Sequence, residues 1–176
     1  MDDKIWQIAD AISKEAKQKF PDLNPVILQL LINRGLDNQE EMDRFLNPDW
    51  NRDTFGPELF TNMPVAVKRV FDSLEQNEVI TIHGDYDADG VCGTTVLFSA
   101  LRDLCRQLNY DQNLITYYIP HRETEGYGLS KKTVDHLIEH EKTKLILAVD
   151  CGISNKEAID HAYQNQIDTI ICDHHA

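Results

Sequence analysis

Nowhere in these 176 residues does an apolar run approach the roughly 20 residues that cross a bilayer, so membrane function is not expected. The opening MDDKIWQIAD is acidic and lacks the apolar core of a secretion signal, which makes the cytoplasm the default expectation. Cysteine is scarce. Cys92, Cys105, Cys151 and Cys172 form no C-x-x-C pair and no zinc spacing, which excludes a zinc ribbon and leaves four reduced, buried thiols as the expectation. Positive charge is scarce as well: 17 Lys and Arg stand against 30 Asp and Glu, a net charge of -13. That balance argues against a broad electrostatic footprint for nucleic acid. It leaves open a phosphate substrate handled through bound cations, because metals reverse the local field. Internal repeats and low-complexity tracts are absent too.

What is present fits one well-cored domain with a small appendage. Apolar residues make up 41% and charged residues 27%, an ordinary globular balance. Ile5, Ile8, Ala9, Ile12, Ala16 and Phe20 recur at helical spacing over residues 2–20, and Pro21 stops the pattern. Asn24-Pro25 starts a second helix that ends at Gly35. Asp37 with Glu40 reads as a capping box for a third, which runs through Phe45 and Leu46 to Asn47-Pro48. These helices form an N-terminal arm, either a substrate-guiding element or a plain cap over one sheet edge. Residues 47–62 read as an irregular linker anchored by Trp50, Phe55 and Phe60. The expected division is an arm and linker over 1–62 and an α/β body over 63–176.

From Pro64 onward the pattern alternates. A helix carrying Val67, Val70, Phe71 and Leu74 leads into a β-branched strand at 79–83. Helix at about 91–108, strand 114–119, helix at about 130–140 and strand 144–149 follow. Ser154 with Glu157 reads as a capping box for a helix to about 164, and strand 167–172 comes last. Single helices between strands predict βαβ units, hence an α/β fold with a parallel β-sheet flanked by helices and preceded by the small helical arm. The closing Asp173-His174-His175-Ala176, directly after a buried strand, reads as the interior of something longer.

In an open parallel sheet, ligands sit beyond the carboxyl ends of the strands. The strand at 79–83 ends in His83, Asp85, Asp87 and Asp89; the strand at 144–149 ends in Asp150; the last strand ends in Asp173, His174 and His175. Carboxylates packed this tightly repel one another unless a cation neutralises them. Mixed carboxylates and imidazoles suit manganese, iron, zinc or cobalt, with magnesium where oxygen dominates. So many donors suggest two ions, the arrangement that clamps both oxygens of an in-line phosphoryl displacement. An EF-hand reading of Asp85-x-Asp87-x-Asp89-Gly90 is set aside because its twelfth position is Val96, not Glu. Asp150 alone could be a turn or capping residue, and His174-His175 alone an accident of the surface. Their shared place at strand ends is what favours a metal site. After the second strand, Arg122 is the candidate to grip a phosphate, and Tyr127, between Gly126 and Gly128, could stack on a base or sugar. The bland alternative pairs Arg122 with Glu123 or Glu125.

Four ordered motifs carry a likeness. His-Gly-Asp-Tyr-Asp-Ala-Asp-Gly at 83–90, Pro-His-Arg-x-x-Glu-Gly-Tyr-Gly-Leu at 120–129, Val-Asp-Cys-Gly-Ile at 149–153 and Asp-His-His-Ala at 173–176 resemble the DHH phosphoesterase superfamily. Within it they look like the RecJ-type single-strand-specific exonucleases, as do Gln-Leu-Leu-Ile-Asn-Arg-Gly at 29–35 and Phe-Leu-Asn-Pro at 45–48. The resemblance implies a two-ion Mn2+ or Mg2+ phosphodiesterase, degrading single-stranded DNA 5′→3′ in recombination and repair. A single-strand-binding protein or a helicase is the implied protein partner. Asp85, Asp87, Asp89, Asp150 and His174 are the implied metal residues, and His83 fits the histidine that opens the first motif. Asp173 and His175 are implied to orient ligands or touch the scissile phosphate, with Arg122 binding phosphate near the cleaved end. Members of the family continue with another metal-binding aspartate and a second, smaller domain, so the chain is expected to be an N-terminal fragment with little activity alone. Two other readings stay open: hydrolysis of short oligonucleotides, cyclic dinucleotides or pyrophosphate, and a non-catalytic binding module on the same fold.

Overall fold

The structure, a computed structural model, describes residue 5 and residues 7–175. It divides into two compact units, Met1–Leu59 and Phe60–Ala176. The first holds helices α1 (Lys14–Lys19), α2 (Pro25–Asn33), α3 (Gln39–Leu46) and α4 (Trp50–Asp53). Each starts on a side chain that accepts otherwise unpaired N–H groups: Ser13, Asn24, Asn38 and Asp49. Phe20, Leu28, Leu31 and Met42 form this unit's core.

Three local expectations change here. The helix expected over 2–20 shrinks to α1, with residues 1–4 and 6 outside the described set. Upstream, Gln29 takes over the backbone groups: its Oε1 accepts the Ile12 N–H at 2.8 Å and its Nε2 donates to the Asp10 carbonyl at 3.1 Å. The third helix is capped by Asn38, which accepts from the Glu41 N–H, one residue beyond the expected Asp37 and Glu40. The 47–62 stretch contains α4 and a 3-10 turn at Pro57–Leu59, and Trp50, Phe55 and Phe60 are exposed. Polar contacts hold the α4 turn instead, with Asp53 paired to Arg44 at 3.0 Å and to Arg52 at 2.7 Å.

The second unit runs α5 (Met63–Glu75), β1 (Val79–His83), α6 (Ala88–Leu108), β2 (Ile115–Tyr118), α7 (Lys131–His136), β3 (Thr143–Val149), α8 (Lys156–Gln164) and β4 (Asp168–Cys172). All strand pairs are parallel, in the order β2-β1-β3-β4. Alternation of side chains along the strands builds two cores. Ile80, Ile82, Leu145 and Leu147 pack with Leu74, Leu101 and Cys105 of α5 and α6. Ile146 packs with Val134 and Leu137, and with Ala158 and Ala162 of α8. Thr81 has its hydroxyl satisfied between Thr116 at 2.8 Å and Thr143 at 2.6 Å. Burial of each large aliphatic side chain contributes roughly 1.5–3 kcal/mol, and this sets the register.

Two helix starts differ from the sequence pattern. α6 begins at Ala88, three residues before Val91, because the Asp87 carboxylate accepts the Gly90 N–H at 3.1 Å. α8 starts after Asn155 without a side-chain cap, so the Ser154 and Glu157 box does not form. Asn155 Oδ1 instead accepts the Leu129 N–H at 3.3 Å, tying this turn to the glycine loop. Cys92 and Cys172 are exposed and Cys105 and Cys151 buried, all four as free thiols, so burial of the whole set does not hold. Among the described residues no helix is long and apolar enough to cross a membrane.

The strand order positions the site. The chain goes from β1 outward to β2, then crosses back to place β3 on the other side of β1. The carboxyl ends of β1 and β3 therefore flank the topological switch point, where a crevice opens in folds of this kind.

Candidate metal centre

His83 ends β1, and the turn to α6 carries Asp85, Asp87 and Asp89. Asp85 is 1% exposed and its Oδ1 is buried with no hydrogen-bond partner. Gly90 permits this burial through close approach, not through a special backbone conformation. A Cβ on Gly90 would lie 2.7 Å from the Asp85 carbonyl oxygen. Beyond β3, Asp150 adopts a left-handed backbone (φ 61) while its N–H still donates to the Cys172 carbonyl at 2.9 Å. This backbone region is uncommon outside glycine, and aspartate is among the residues that tolerate it best. Its Oδ2 is buried and unpartnered, and its Oδ1 lies 3.0 Å from His174 Nε2. Asp150 is thus no helix cap, since α8 starts after Asn155.

Residues from three strand ends converge. Donor atoms of Asp85, Asp87 and Asp150 lie within 4.8 Å of one another, as do those of Asp150, His174 and His175. Asp150 belongs to both groups. Asp89 sits beside the second, with its Oδ2 3.7 Å from His174 Nε2. His83 is wholly buried outside both groups, and its Nε2 has no partner. Asp173 Oδ1 lies 2.7 Å from His175 Nδ1 and its Oδ2 accepts the Ile153 N–H at 3.0 Å, which fixes the His175 ring.

The electrostatics follow from burial and proximity. Burial, then the charges of Asp89 and Asp87, raise the Asp150 pKa against the opposing contact from His174. Burial lowers His83 to about 4, which keeps the ring neutral at physiological pH. Burial would raise Asp173 too, but the Ile153 and His175 donors hold it at about 2. The hydrogen bond that the His175 ring makes to the Asp173 carboxylate raises the His175 pKa. Two buried carboxylate oxygens and one imidazole nitrogen without partners are costly in an apolar surrounding. A divalent cation would satisfy the two carboxylate oxygens, of Asp85 and Asp150, and the mixed carboxylate and imidazole donors of the two groups fit manganese and similar ions. The residues present fit the group.

Arg122 and Tyr127 occupy the loop after β2. The Arg122 guanidinium lies over the Tyr86 ring, 5.1 Å from its centroid, and among the described residues it makes no ion pair with Glu123 or Glu125. Glu125 is otherwise engaged, accepting from the Tyr118 hydroxyl and from the His121 N–H at 2.6 Å. Tyr127 donates its hydroxyl to the Asp150 carbonyl at 3.2 Å, and the Tyr127 hydroxyl oxygen is 3.1 Å from His175 Nδ1. The loop is therefore fastened to the metal-donor cluster through Tyr127. Sequence reading missed Tyr86 as the seat of Arg122, Asn155 as the brace of the loop and Cys151 as a neighbour of His83. Only Cys151 carried a signal, standing directly after Asp150 at a strand end.

Residues 79–176 match the DHH family, N-terminal domain. The chain belongs to the DHH family. The single-stranded-DNA-specific exonuclease RecJ of Bacillus subtilis is 33% identical over 172 residues, which cover 97% of this chain and 21% of that protein. The RecJ of Thermus thermophilus is 39% identical over 105 residues, covering 59% of this chain and 14% of that protein. Among solved structures, exonuclease RecJ bound to manganese aligns with a TM-score of 0.53 at 38% identity, over 64% of this chain and 27% of that one. The DHH domain of a member of the s1p family of ribosomal proteins, at 18% identity and a TM-score of 0.50, shares the fold. This DHH chain spans from 14% to 26% of the length of the curated relatives it matches.

Proposed function

We propose that this chain carries the metal-binding part of a phosphodiesterase that degrades single-stranded DNA from the 5′ end. The observation that carries the reading is the pair of donor groups sharing Asp150 at the switch point. Asp85, Asp87 and Asp150 would hold one divalent ion, and Asp150, His174 and His175 a second. When bound, such ions neutralise charge developing on the phosphodiester and acidify water. Asp173 keeps the His175 ring in place, and Tyr127 holds the loop that presents Arg122 to a phosphate. The Tyr86 face beneath Arg122 limits the guanidinium's motion, so less freedom is lost when it grips an anion. Tyr127, a residue 48% exposed, is available to stack on a base or sugar. Mn2+ or Mg2+ is the cofactor in this reading. The setting is recombination and repair in the cytoplasm, with a single-strand-binding protein or a helicase as partner.

The test has two independent readouts, because the relatives are several times longer than this chain. Mn2+ titration of the 176-residue chain should show binding that Asp150→Ala abolishes. Hydrolysis is measured as Mn2+-dependent release of mononucleotides from a 5′-phosphorylated single strand, beside a dinucleotide and a duplex. Undiminished binding and hydrolysis in Asp150→Ala would sink the site. Preference for the dinucleotide would move the substrate to short oligonucleotides, and absence of Mn2+ binding would favour a non-catalytic module.

A further inference from the structure

Arg122 has a carboxylate close by in the chain that it does not use. Residues 121–125 close into a single turn, with the Thr124 and Glu125 N–H groups donating to the His121 carbonyl at 3.2 and 2.9 Å. On a helical turn, side chains three apart are neighbours, so Glu125 is the natural ion-pair partner of Arg122. Both residues are exposed. Glu125 instead gives one oxygen to each of two other donors. Its Oε1 accepts the Tyr118 hydroxyl, and its Oε2 accepts the His121 N–H at 2.6 Å. The guanidinium is left over the Tyr86 ring, 5.1 Å from its centroid.

Tyr118 is the side chain that makes this choice. It ends β2, and its carbonyl accepts the Gly84 N–H at 3.0 Å, which ties the strand end to β1. Its ring stands between His83, at 5.8 Å and an interplanar angle of 23°, and His136, at 5.2 Å. Flanked on both sides, the ring delivers its hydroxyl to one place. The second donor to Glu125 is main chain, so the Tyr118 hydroxyl is the one that a side-chain change removes.

We propose that Tyr118 is a positioning residue that, by donating to Glu125, keeps this carboxylate from pairing with Arg122 and leaves the guanidinium open to a phosphate anion. The last clause rests on the reading above in which Arg122 takes a phosphate; the first concerns the chain by itself. The physical basis is competition. An internal ion pair has to break before an external anion can take the bidentate face of the guanidinium. Tyr118 donates to Glu125 and not to Glu123, which makes Glu123 the control.

Tyr118→Phe removes the hydroxyl and keeps the ring. The first readout is the Arg122 Nε–Hε signal in 15N NMR of the metal-free 176-residue chain, assigned with Arg122→Lys. Tyr118→Phe should shift that signal, and adding Glu125→Gln should return it toward the wild-type position. The second readout is affinity for inorganic phosphate, followed on the same signal in Mg2+, which offsets the acidic cluster. Tyr118→Phe should weaken it about two- to fivefold, the size of an exposed ion pair. Adding Glu125→Gln should bring it back to within about twofold of wild type, and the same change should matter less in the wild-type background. Glu123→Gln should act equally in both backgrounds. If Tyr118 only braces the turn, the double variant stays as weak as Tyr118→Phe, because the bond is missing in both. That result overturns the proposal, as does an Arg122 signal that Tyr118→Phe leaves unmoved. Failure of the phosphate reading looks different: phosphate would not move the wild-type Arg122 signal, while the shift in Tyr118→Phe and its reversal by Glu125→Gln would remain.

Discussion

Replacing Asp150 by Asn should move stability in opposite directions with and without metal. Asp150 is 6% exposed and Asp85 1%, and their donor oxygens lie within 4.8 Å. Two unit charges at that spacing repel by about 3 kcal/mol at an effective dielectric near 20. His174, 3.0 Å from Asp150 Oδ1, returns part of this and is largely exposed, so the return is small. Asparagine has the same shape and no charge. The metal-free Asp150→Asn chain should therefore be more stable than wild type at neutral pH, by about 1–2 kcal/mol. The sign agrees with the raised Asp150 pKa: its ionised form burdens the folded state, and the variant's advantage shrinks as pH falls and the wild-type carboxyl protonates. In Mn2+ at a hundredfold excess over Kd, wild type gains about 2.7 kcal/mol, and the variant, having lost a shared donor, gains little. The order of the two stabilities should then invert. Urea unfolding at pH 7, with EDTA or with Mn2+, measures both. A variant less stable than wild type in EDTA and equally stabilised by Mn2+ would refute the reasoning.

Two further outcomes follow from the same centre. Gly90→Ala should destabilise the chain and weaken Mn2+ binding, although alanine favours an isolated helix by about 1 kcal/mol. Its Cβ would stand 2.7 Å from the Asp85 carbonyl oxygen, and overpacking of this kind costs about 1–3 kcal/mol. Gly93→Ala meets only the Val149 Cγ1, at 2.8 Å, and should be milder; a more stable Gly90→Ala with unchanged Mn2+ affinity would contradict this. His83 supplies the pH dependence. Its pKa is lowered by burial from 6.5 to about 4, so stability is full above pH 6.5 and falls as pH drops toward 4, where the unfolded chain takes up a proton that the folded one refuses. The loss is about 3 kcal/mol at roughly 1.4 per unit, and unfolding curves of wild type and His83→Gln in EDTA should differ in slope over that window.

Much of the fold could be read from local pattern. The apolar runs of β1 and β3 and the single helices between strands dictate a parallel sheet, because strands buried on both faces must be apolar throughout, whereas β4 at the sheet edge is exposed or half-buried and so falls short of the buried strand expected there. Helix starts were read less well. The 2–20 stretch lost to Gln29 of α2, which captures the backbone at residues 10 and 12; Asp37 lost to its neighbour Asn38, and the Ser154 box did not form while Asn155 turned to Leu129. Capping motifs are scored on neighbours in sequence, whereas a hydrogen bond goes to whichever partner packing brings close. In the same way Trp50, Phe55 and Phe60 carried an apolar signal yet remain exposed.

The sequence by itself determined the chemistry available: three carboxylates after one strand, one after another, and two imidazoles after the last. It also determined, through parallel pairing, that all of these lie at one edge of the sheet. Tertiary structure alone decided the order β2-β1-β3-β4, which sets Asp150 beside Asp85 and Asp87 and lets it serve both donor groups. It alone paired Cys151 with His83 and Arg122 with Tyr86. Strand order is fixed by which apolar faces bury together, a property of the packed whole that no spacing along the chain encodes.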